Sequence, residues 1–205
     1  GDGLQDIVLG LPYLEGAGGA AVLFGPAETR AAWDADALLI QLGDDVLAGW
    51  SVAVPGDVDG DGQDDLALGA PQFGDSGGGA IWIEAKLPDG IGSLDASHSR
   101  VEGQPGENVG ASLTAPGDID GDGTPDLISS GEYHHVWVIS GAGTGSRTME
   151  ATDAALPDWV PWAGYPARAM AIEDLDGDGH NEIVVSLFPS WAVALVLDGA
   201  GWSSR

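Results

Sequence analysis

The chain has 205 residues, of which 43% are hydrophobic, and it contains 34 glycines and 12 prolines. That length suffices for a buried core, and the composition fits an all-β fold with many turns rather than a disordered chain. With 33 acidic and 6 basic residues the formal net charge is −27, so nucleic acids and anionic membrane surfaces are poor partners. No run of about 18 apolar residues is present, so membrane insertion is not expected.

The chain contains no cysteine. A thiol nucleophile and disulfide staples are therefore both excluded, and a bound metal is the remaining way to staple a fold of this kind. The lack of disulfides is unlike a typical secreted animal domain and favours a bacterial source.

An acidic motif of nine residues occurs three times in full, at 57–65, 118–126 and 174–182. Acids stand at positions 1, 3, 5 and 9 of each copy, and glycines stand at positions 4 and 6. The first six residues of the chain align with 60–65 and so form the second part of a fourth copy.

Carboxylates at this spacing converge on a hard cation, because unpaired acids so close together would repel one another strongly. The backbone carbonyl at position 7 adds a ligand, and glycine at position 6 allows the sharp turn. We expect three complete Ca²⁺ sites, and a fourth, partial site at Asp2 and Asp6. The expected ligands of the complete sites are Asp57, Asp59, Asp61, Gln63 and Asp65; Asp118, Asp120, Asp122, Thr124 and Asp126; and Asp174, Asp176, Asp178, His180 and Glu182.

An EF-hand would need a bidentate Glu at position 12 and a helix on each side. Position 12 is instead Leu68, Ser129 or Val185. The flanking segments are short, apolar and partly β-branched, which indicates strands. Each acidic loop is therefore predicted to join two strands.

Further apolar segments after each loop predict a third strand at 20–24, 80–83, 136–139 and 192–197. A weaker fourth strand is predicted at 38–42, 97–102 and 147–151. The loops recur after 61 and 56 residues, a period that four short strands would fill as one propeller blade. The predicted units are 1–47 (partial), 48–106, 107–160 and 161–205 (partial).

The sequence resembles the FG-GAP repeat of integrin α-chain β-propellers and of bacterial surface proteins. Residues 48–53, the acidic loop and residues 68–71 carry the resemblance, and 109–113 and 9–12 repeat parts of it. It implies an all-β fold of propeller-like blades with four antiparallel strands, in about three and a half repeats. The family's ring has more blades, so we expect either a longer chain or a homo-oligomer or filament in which another copy pairs with the open strand edges.

The resemblance and the acidic loops together imply a noncatalytic module for adhesion, protein or glycan recognition, or surface assembly, with structural calcium. An extracellular or cell-surface location follows because loops of this kind fill where calcium is millimolar. The alternative is the propeller portion of a secreted hydrolase or lyase whose catalytic groups lie elsewhere. We assign no catalytic residue in this chain.

The aromatic residues of interest form two sets, which lie in different kinds of segment. Trp82 and Trp137 occupy equivalent third-strand positions and are predicted to lie in the core between blades. Trp159, Trp162 and Tyr165 lie in a segment broken by Pro and Gly, and either contact a ligand or fold back to plug the propeller. In the resembled family, ligand contacts come from loops on the face opposite the calcium loops.

Overall fold

The computed structural model describes residues 4–25, 35–41, 46–74, 76–94, 99–119, 122–131, 136–139, 145–148, 154–155, 167–172, 174, 177, 181–187 and 193–197. Within these ranges the first strands are β1 (Ile7–Gly10), β2 (Gly19–Leu23), β3 (Ala37–Ile40), β4 (Ser51–Gly56), β5 (Asp65–Ala70), β6 (Ala80–Glu84), β7 (Gly90–Ser93) and β8 (Ser99–Glu102). They are followed by β9 (Ser112–Gly117), β10 (Asp126–Ser130), β11 (Val136–Ile139), β12 (Gly145–Thr148), β13 (Ala154–Ala155), β14 (Ala167–Ile172), β15 (Glu182–Leu187) and β16 (Val193–Leu197). One 3-10 turn, Leu14–Gly16, lies between β1 and β2.

The strands form four sheets, which confirms the prediction of an all-β fold with propeller-like blades. Their orders are β1-β2-β3-β7, β12-β8-β6-β5-β4, β13-β11-β10-β9 and β14-β15-β16. Neighbouring strands from the same unit pair antiparallel, as in β4 with β5, β5 with β6, and β6 with β8. Each complete acidic loop joins the first two strands of its sheet, as expected, since β4 leads into β5, β9 into β10 and β14 into β15.

Two sheets also receive a strand from the following unit. The segment β7 leaves its own unit between β6 and β8 and pairs parallel with β3, from Ala37↔Gly90 to Ile40↔Ser93. In the same way β12 leaves its unit between β11 and β13 and pairs parallel with β8. Each of these connections therefore fastens one blade to its neighbour through backbone hydrogen bonds.

The position predicted for the fourth strand of the third unit, 147–151, is wrong. Residues 145–148 form β12, which belongs to the second sheet, and the fourth strand of the third sheet is the short β13. Strand propensity shows only that a segment is extended, whereas the available edge of β8 determines its partner.

The core lies between the sheets, because both faces of β5 and β6, two inner strands of the second sheet, are buried. On β5 and β6 the residues Leu66, Leu68 and Trp82 pack against side chains of the first sheet. The alternate residues, such as Ala67 and Ile81, pack toward the third sheet. This alternation with period two explains why these strands read as continuous apolar runs.

The two third-strand tryptophans hold equivalent places in this core, as predicted. Trp82 is 1% exposed and packs between the first and second sheets, where its ring meets that of Phe73 edge-to-face at 5.1 Å. Trp137 is also buried and joins the cluster between the second and third sheets.

Consecutive units touch through glycines at the end of the sheets opposite the acidic loops. The amide of Gly19 donates to the carbonyl of Ala48 at 2.8 Å, and the amide of Val109 donates to that of Gly78 at 3.0 Å. At Gly110 (φ +85°) a Cβ would stand 2.5 Å from the carbonyl oxygen of Ala80. Only glycine permits this approach. In the part of the chain that the structure describes, no helix has the length and apolar character needed to cross a membrane.

Candidate metal centre

The first complete loop is held in shape by the carboxylate of its first residue. Asp57 accepts hydrogen bonds from the amides of Gly60 at 2.7 Å, Asp61 at 3.0 Å and Gly62 at 2.8 Å. Gly60 and Gly62 have φ values of +81° and +88°, which glycine adopts without strain. The chain therefore curls around the Asp57 carboxylate because the amides at positions 4, 5 and 6 point at it.

The next two acids turn their carboxylates toward the same point. Asp59 accepts from the amide of Asp61 at 3.0 Å, and Asp61 accepts from the amide of Gln63 at 2.8 Å. One carboxylate oxygen from each of Asp57, Asp59 and Asp61 lies within 4.8 Å of the others. Asp57 is half-buried and the other two are exposed, so the cluster opens to solvent.

The acid at position 9 has a different environment. Asp65 begins β5 and is only 2% exposed. Its Oδ2 accepts a hydrogen bond of 2.7 Å from the amide of Val58, at loop position 2, whereas its Oδ1 has no hydrogen-bond partner. Burial raises the pKa of Asp65 above its ordinary value, and the charges of Asp59 and Asp57 act in the same direction, while the backbone amides of Val58 and Asp59 oppose them.

The residues of this loop fit a calcium ion. A buried carboxylate oxygen without a partner is costly, and a nearby cation would satisfy it. The hydrogen bond to Val58 turns the Asp65 side chain toward the loop that carries the other three acids. The donor set is made only of oxygen, with several carboxylates, which suits Ca²⁺.

The second loop repeats this arrangement at the corresponding atoms. Asp126 is fully buried and its Oδ2 accepts from the amide of Ile119 at 2.7 Å, the counterpart of the bond between Asp65 and Val58. The further bonds run from the amides of Asp122 (3.2 Å) and Gly123 (2.8 Å) to Asp118, and from the amide of Thr124 to Asp122 (2.7 Å).

The third loop and the partial one are described only in part. Asp174 accepts from the amide of Gly177 at 2.6 Å, as Asp57 does from Gly60. Glu182 is the first residue of β15. Asp6 is exposed, and its carboxylate accepts from the amide of Gly25 at 2.9 Å. The predicted site residues that lie outside the described ranges, and so remain predictions, are Asp2, Asp120, Asp176, Asp178, His180, Trp159, Trp162 and Tyr165.

Two parts of the chain match the models of known repeat families. An FG-GAP repeat matches residues 48–83, which contain the first complete loop with β4, β5 and part of β6. An FG-GAP-like repeat matches residues 118–185, which contain the second and third loops. The chain belongs to the FG-GAP repeat family.

Several integrin α-chains are similar to this FG-GAP chain. Integrin alpha pat-2 of Caenorhabditis elegans is 29% identical over an alignment of 224 residues, which covers 96% of this chain and 18% of that protein. Integrin alpha-V of Gallus gallus is 27% identical, with 92% and 19% covered. Integrin alpha-5 of Xenopus laevis is 41% identical over 86 residues, with 39% and 8% covered. The chain spans less than a fifth of the length of these curated relatives.

Sequence reasoning missed the contacts that connect consecutive FG-GAP loops. Pro125, at position 8 of the second loop, lies against Gly56, which precedes the first loop. Asn181, at position 8 of the third loop, donates from Nδ2 to the carbonyl of Pro116 at 2.6 Å. A Pro-Gly pair before the first two loops, at 55–56 and 116–117, is the sequence signal that could have pointed to them.

Residues 74–78 also read Gly-Asp-Ser-Gly-Gly, a spacing that sequence reasoning overlooked and that resembles a nucleophile elbow. Such an elbow places its Ser on a turn between a strand and a helix. Ser76 does have the positive φ of a sharp turn, +62°. The segment, however, connects β5 to β6, which are two strands of one sheet. The structural context of a nucleophile elbow is therefore not met.

Proposed function

We propose that this FG-GAP chain is a noncatalytic, extracellular or cell-surface module for adhesion, protein or glycan recognition, or surface assembly, in which calcium is structural. One observation carries the calcium-binding part of the proposal: three carboxylates converge in a loop whose fourth acid, Asp65, has a buried oxygen without a hydrogen-bond partner. A loop of this kind has a clear use as a cation site and no evident use without one.

The first site would be held by the carboxylates of Asp57, Asp59, Asp61 and Asp65 and by the carbonyl of Gln63. Bound Ca²⁺ supplies the positive charge that these acids need in order to lie so close together. The second loop, with Asp118, Asp122 and Asp126 in corresponding places, supports a second site. A third site at 174–182, and a partial one at Asp2 and Asp6, complete the proposal.

The energetics support a structural role. With a dissociation constant of about 0.1 mM and calcium at about 1 mM, each site would stabilise the fold by roughly 1.4 kcal/mol. Three such sites would contribute roughly 4 kcal/mol, against total stabilities of about 5–15 kcal/mol for globular domains. Sites with that dissociation constant would fill where calcium is millimolar, as it is outside the cell.

The recognition role is supported by the similarity to integrin α-chains and by exposed aromatic residues. Tyr13 is 72% exposed and follows β1, and Trp50 is 49% exposed and precedes β4. Both lie at the end of the sheets opposite the first complete acidic loop, because β4 reaches that loop at its other end and Gly10 meets Gly49. Exposed Tyr and Trp side chains are common anchors for protein and sugar ligands.

Calcium titration of the purified chain, followed by calorimetry and equilibrium dialysis, tests the proposal. We expect about three ions per chain with dissociation constants of roughly 0.01–1 mM, and much weaker binding of magnesium. Absence of calcium binding up to about 10 mM would contradict it. A screen against polysaccharides and lipids tests the noncatalytic part, because turnover by this chain would favour the hydrolase or lyase alternative. Light scattering tests the predicted homo-oligomer or filament.

A further inference from the structure

Consecutive acidic loops are connected at one repeated position. The ring of Pro125 lies so close to Gly56 that a Cβ there would stand 3.3 Å from its Cγ. One blade further on, a Cβ at Gly117 would stand 3.7 Å from Nδ2 of Asn181, which donates to the carbonyl of Pro116 at 2.6 Å. Pro125 and Asn181 both occupy loop position 8, and Gly56 and Gly117 both directly precede position 1.

The contact joins the start of one loop to the C-terminal half of the following loop. Gly56 and Gly117 have φ values of +104° and +85°, and each immediately precedes the acid, Asp57 or Asp118, whose carboxylate gathers the loop amides. Position 8 lies between two expected ligands, the carbonyl of position 7 and the acid of position 9. In the second loop that acid, Asp126, is buried. The C-terminal half of one loop therefore rests on the start of the preceding one.

The backbones on both sides of the contact are also neighbours. The strand β4, which ends at Gly56, packs beside β9, and β9, which ends at Gly117, packs beside β14. A shift at position 8 would thus be felt at the start of the preceding loop and not only at an exposed side chain. By contrast Asp64, at position 8 of the first complete loop, is exposed.

We propose that the residue at loop position 8 couples calcium binding between neighbouring blades, so that an ion in one loop raises the calcium affinity of the preceding loop. The coupling rests on the calcium binding proposed above. An ion held by positions 7 and 9 of one loop orders position 8 of that loop, and position 8 then holds the glycine that stands directly before the preceding loop. The preceding loop consequently loses less conformational entropy when it binds its own ion.

The sign of the effect distinguishes this coupling from simple electrostatics. An ion in one loop lowers the negative potential that attracts an ion to the next, so charge alone makes the second ion bind more weakly. The contact through position 8 has the opposite effect, because it strengthens the binding of the second ion. A variant whose third loop has the charge of the calcium-loaded loop, but binds no ion, therefore separates the effect of the contact from the effect of charge.

Such a match is available in Asp174→Asn combined with Asp176→Asn. The third loop has four carboxylates, Asp174, Asp176, Asp178 and Glu182, so its net charge is −4 without an ion and −2 with one Ca²⁺. The double variant keeps two carboxylates and has a net charge of −2 without an ion. It thus resembles the loaded loop in charge but lacks the ordering that the ion supplies.

The readout is the amide resonance of Gly123 during calcium titration of the full chain in about 0.15 M salt, an ionic strength that screens charges beyond about 8 Å. This amide donates to Asp118 and so reports on the second loop alone. The resonance of Gly177 confirms that the third loop of the double variant no longer responds. Asn181→Ala keeps all four carboxylates and removes the side-chain amide that donates to Pro116 and lies beside Gly117. Asp64→Asn is the control at position 8 of another loop.

We expect the calcium midpoint at Gly123 to rise roughly 2- to 10-fold in the charge-matched variant and in Asn181→Ala, the factor given by the net contribution of one hydrogen bond. The variant that combines Asp174→Asn, Asp176→Asn and Asn181→Ala should show no further rise in the midpoint, because the charge-matched change and Asn181→Ala each remove the same coupling. Asp64→Asn should leave the midpoint at Gly123 in place. If the charge-matched variant fails to fold, Asn181→Ala alone decides.

An unchanged or lower midpoint in Asn181→Ala would overturn the proposal, as would independent effects that multiply in the combined variant. These results are distinct from failure of the proposed calcium binding, in which Gly62 and Gly123 would not respond to calcium in the unaltered chain. The first pair of loops offers a parallel test. Pro125→Ala, which removes the ring atom closest to Gly56, should raise the midpoint at Gly62, and no change there would contradict the repeated role of position 8.

Discussion

The carboxylate of Asp65 accepts a hydrogen bond of 2.7 Å from the amide of Val58, which fastens the end of the first complete acidic loop to its beginning. Asp126 and Ile119 form the same bond at the same distance in the second loop. Val58 and Ile119 are themselves buried, so position 2 anchors each loop to the core, while Asp59 and Asp61 of the first loop are exposed. Position 9 consequently connects the proposed metal site to the interior of the sheet.

Asp65→Asn should lower the calcium affinity of the first loop at least about tenfold, because the site loses a charged ligand. The metal-free chain should be at least as stable as before, since a neutral amide is cheaper to bury than a carboxylate. The calcium midpoint at the Gly62 amide and the melting temperature after chelation measure the two effects. Asp64→Asn removes the same charge at an exposed neighbouring position, so it should change the calcium midpoint and the melting temperature much less.

Chelation of calcium should lower the melting temperature by roughly 10 °C, if three sites together contribute roughly 4 kcal/mol. Magnesium should restore little of this loss, because its rigid octahedral geometry does not suit a loop with so many protein ligands. Differential scanning calorimetry with calcium, with chelator and with magnesium checks this. A melting temperature that does not respond to excess chelator would refute a structural role for the ion.

The stabilisation by calcium should diminish as the pH falls. Burial raises the pKa of Asp65 in the folded chain above its unfolded value of 3.8, so without metal its ionised form disfavours folding at pH values above the folded pKa. That destabilisation diminishes as the pH falls below the folded pKa, and it is absent below the unfolded value of 3.8. Calcium acts in the opposite sense, because it binds only the ionised carboxylate and its contribution is lost over the same range.

The difference in melting temperature between calcium-loaded and metal-stripped chain should therefore narrow as the pH falls toward the ordinary carboxyl range near about pH 4, because Asp65, whose pKa is raised by burial, takes up a proton before that range is reached. Thermal melts at several pH values in each condition provide the measurement. Asp65→Asn should show a smaller pH dependence of this difference. A difference that stays constant down to about pH 4 would argue against carboxylate ligands.

Trp82→Ala should destabilise the fold by about 3–5 kcal/mol, because it leaves a large cavity between the first and second sheets. Trp50→Ala is the matched control, since Trp50 is about half exposed and its truncation should cost far less. Denaturant titration of both variants in saturating calcium measures the two free energies of unfolding. Equal losses of unfolding free energy in the two variants would show that the packing of Trp82 does not hold the blades together.

Gly110→Ala should destabilise the chain much more than Gly74→Ala. Both glycines have positive φ, so each substitution introduces backbone strain of about 1 kcal/mol. A Cβ at Gly110 would also press on the backbone of Ala80 and Gly69, whereas a Cβ at Gly74 would meet nothing within 4 Å. Thermal denaturation of the two variants separates the steric contribution from the strain, and similar melting temperatures would contradict the close approach of the units at Gly110.

Much of the candidate site could be predicted because its interactions are local in sequence. The bonds that shape the first loop join residues at most seven positions apart, from Asp57–Gly60 to Val58–Asp65. The acids, glycines and flanking apolar runs that make them are therefore visible in one short window. What the window could not show is that Asp65 is buried with one oxygen unpartnered, since that depends on what packs over the start of β5.

The sequence by itself determined the acidic loops, the strands on either side of them and their repetition, because hydrogen bonding within nine residues and apolar periodicity specify them. Only the tertiary structure decided that β7 and β12 pair with the preceding sheets, and that Pro125 and Asn181 rest on the glycines before the preceding loops. Ala37 and Gly90 are 53 residues apart, and Asn181 and Pro116 are 65 apart. Contacts of that length depend on which edges and carbonyls the assembled blades leave available, and a residue's own propensity carries no record of them.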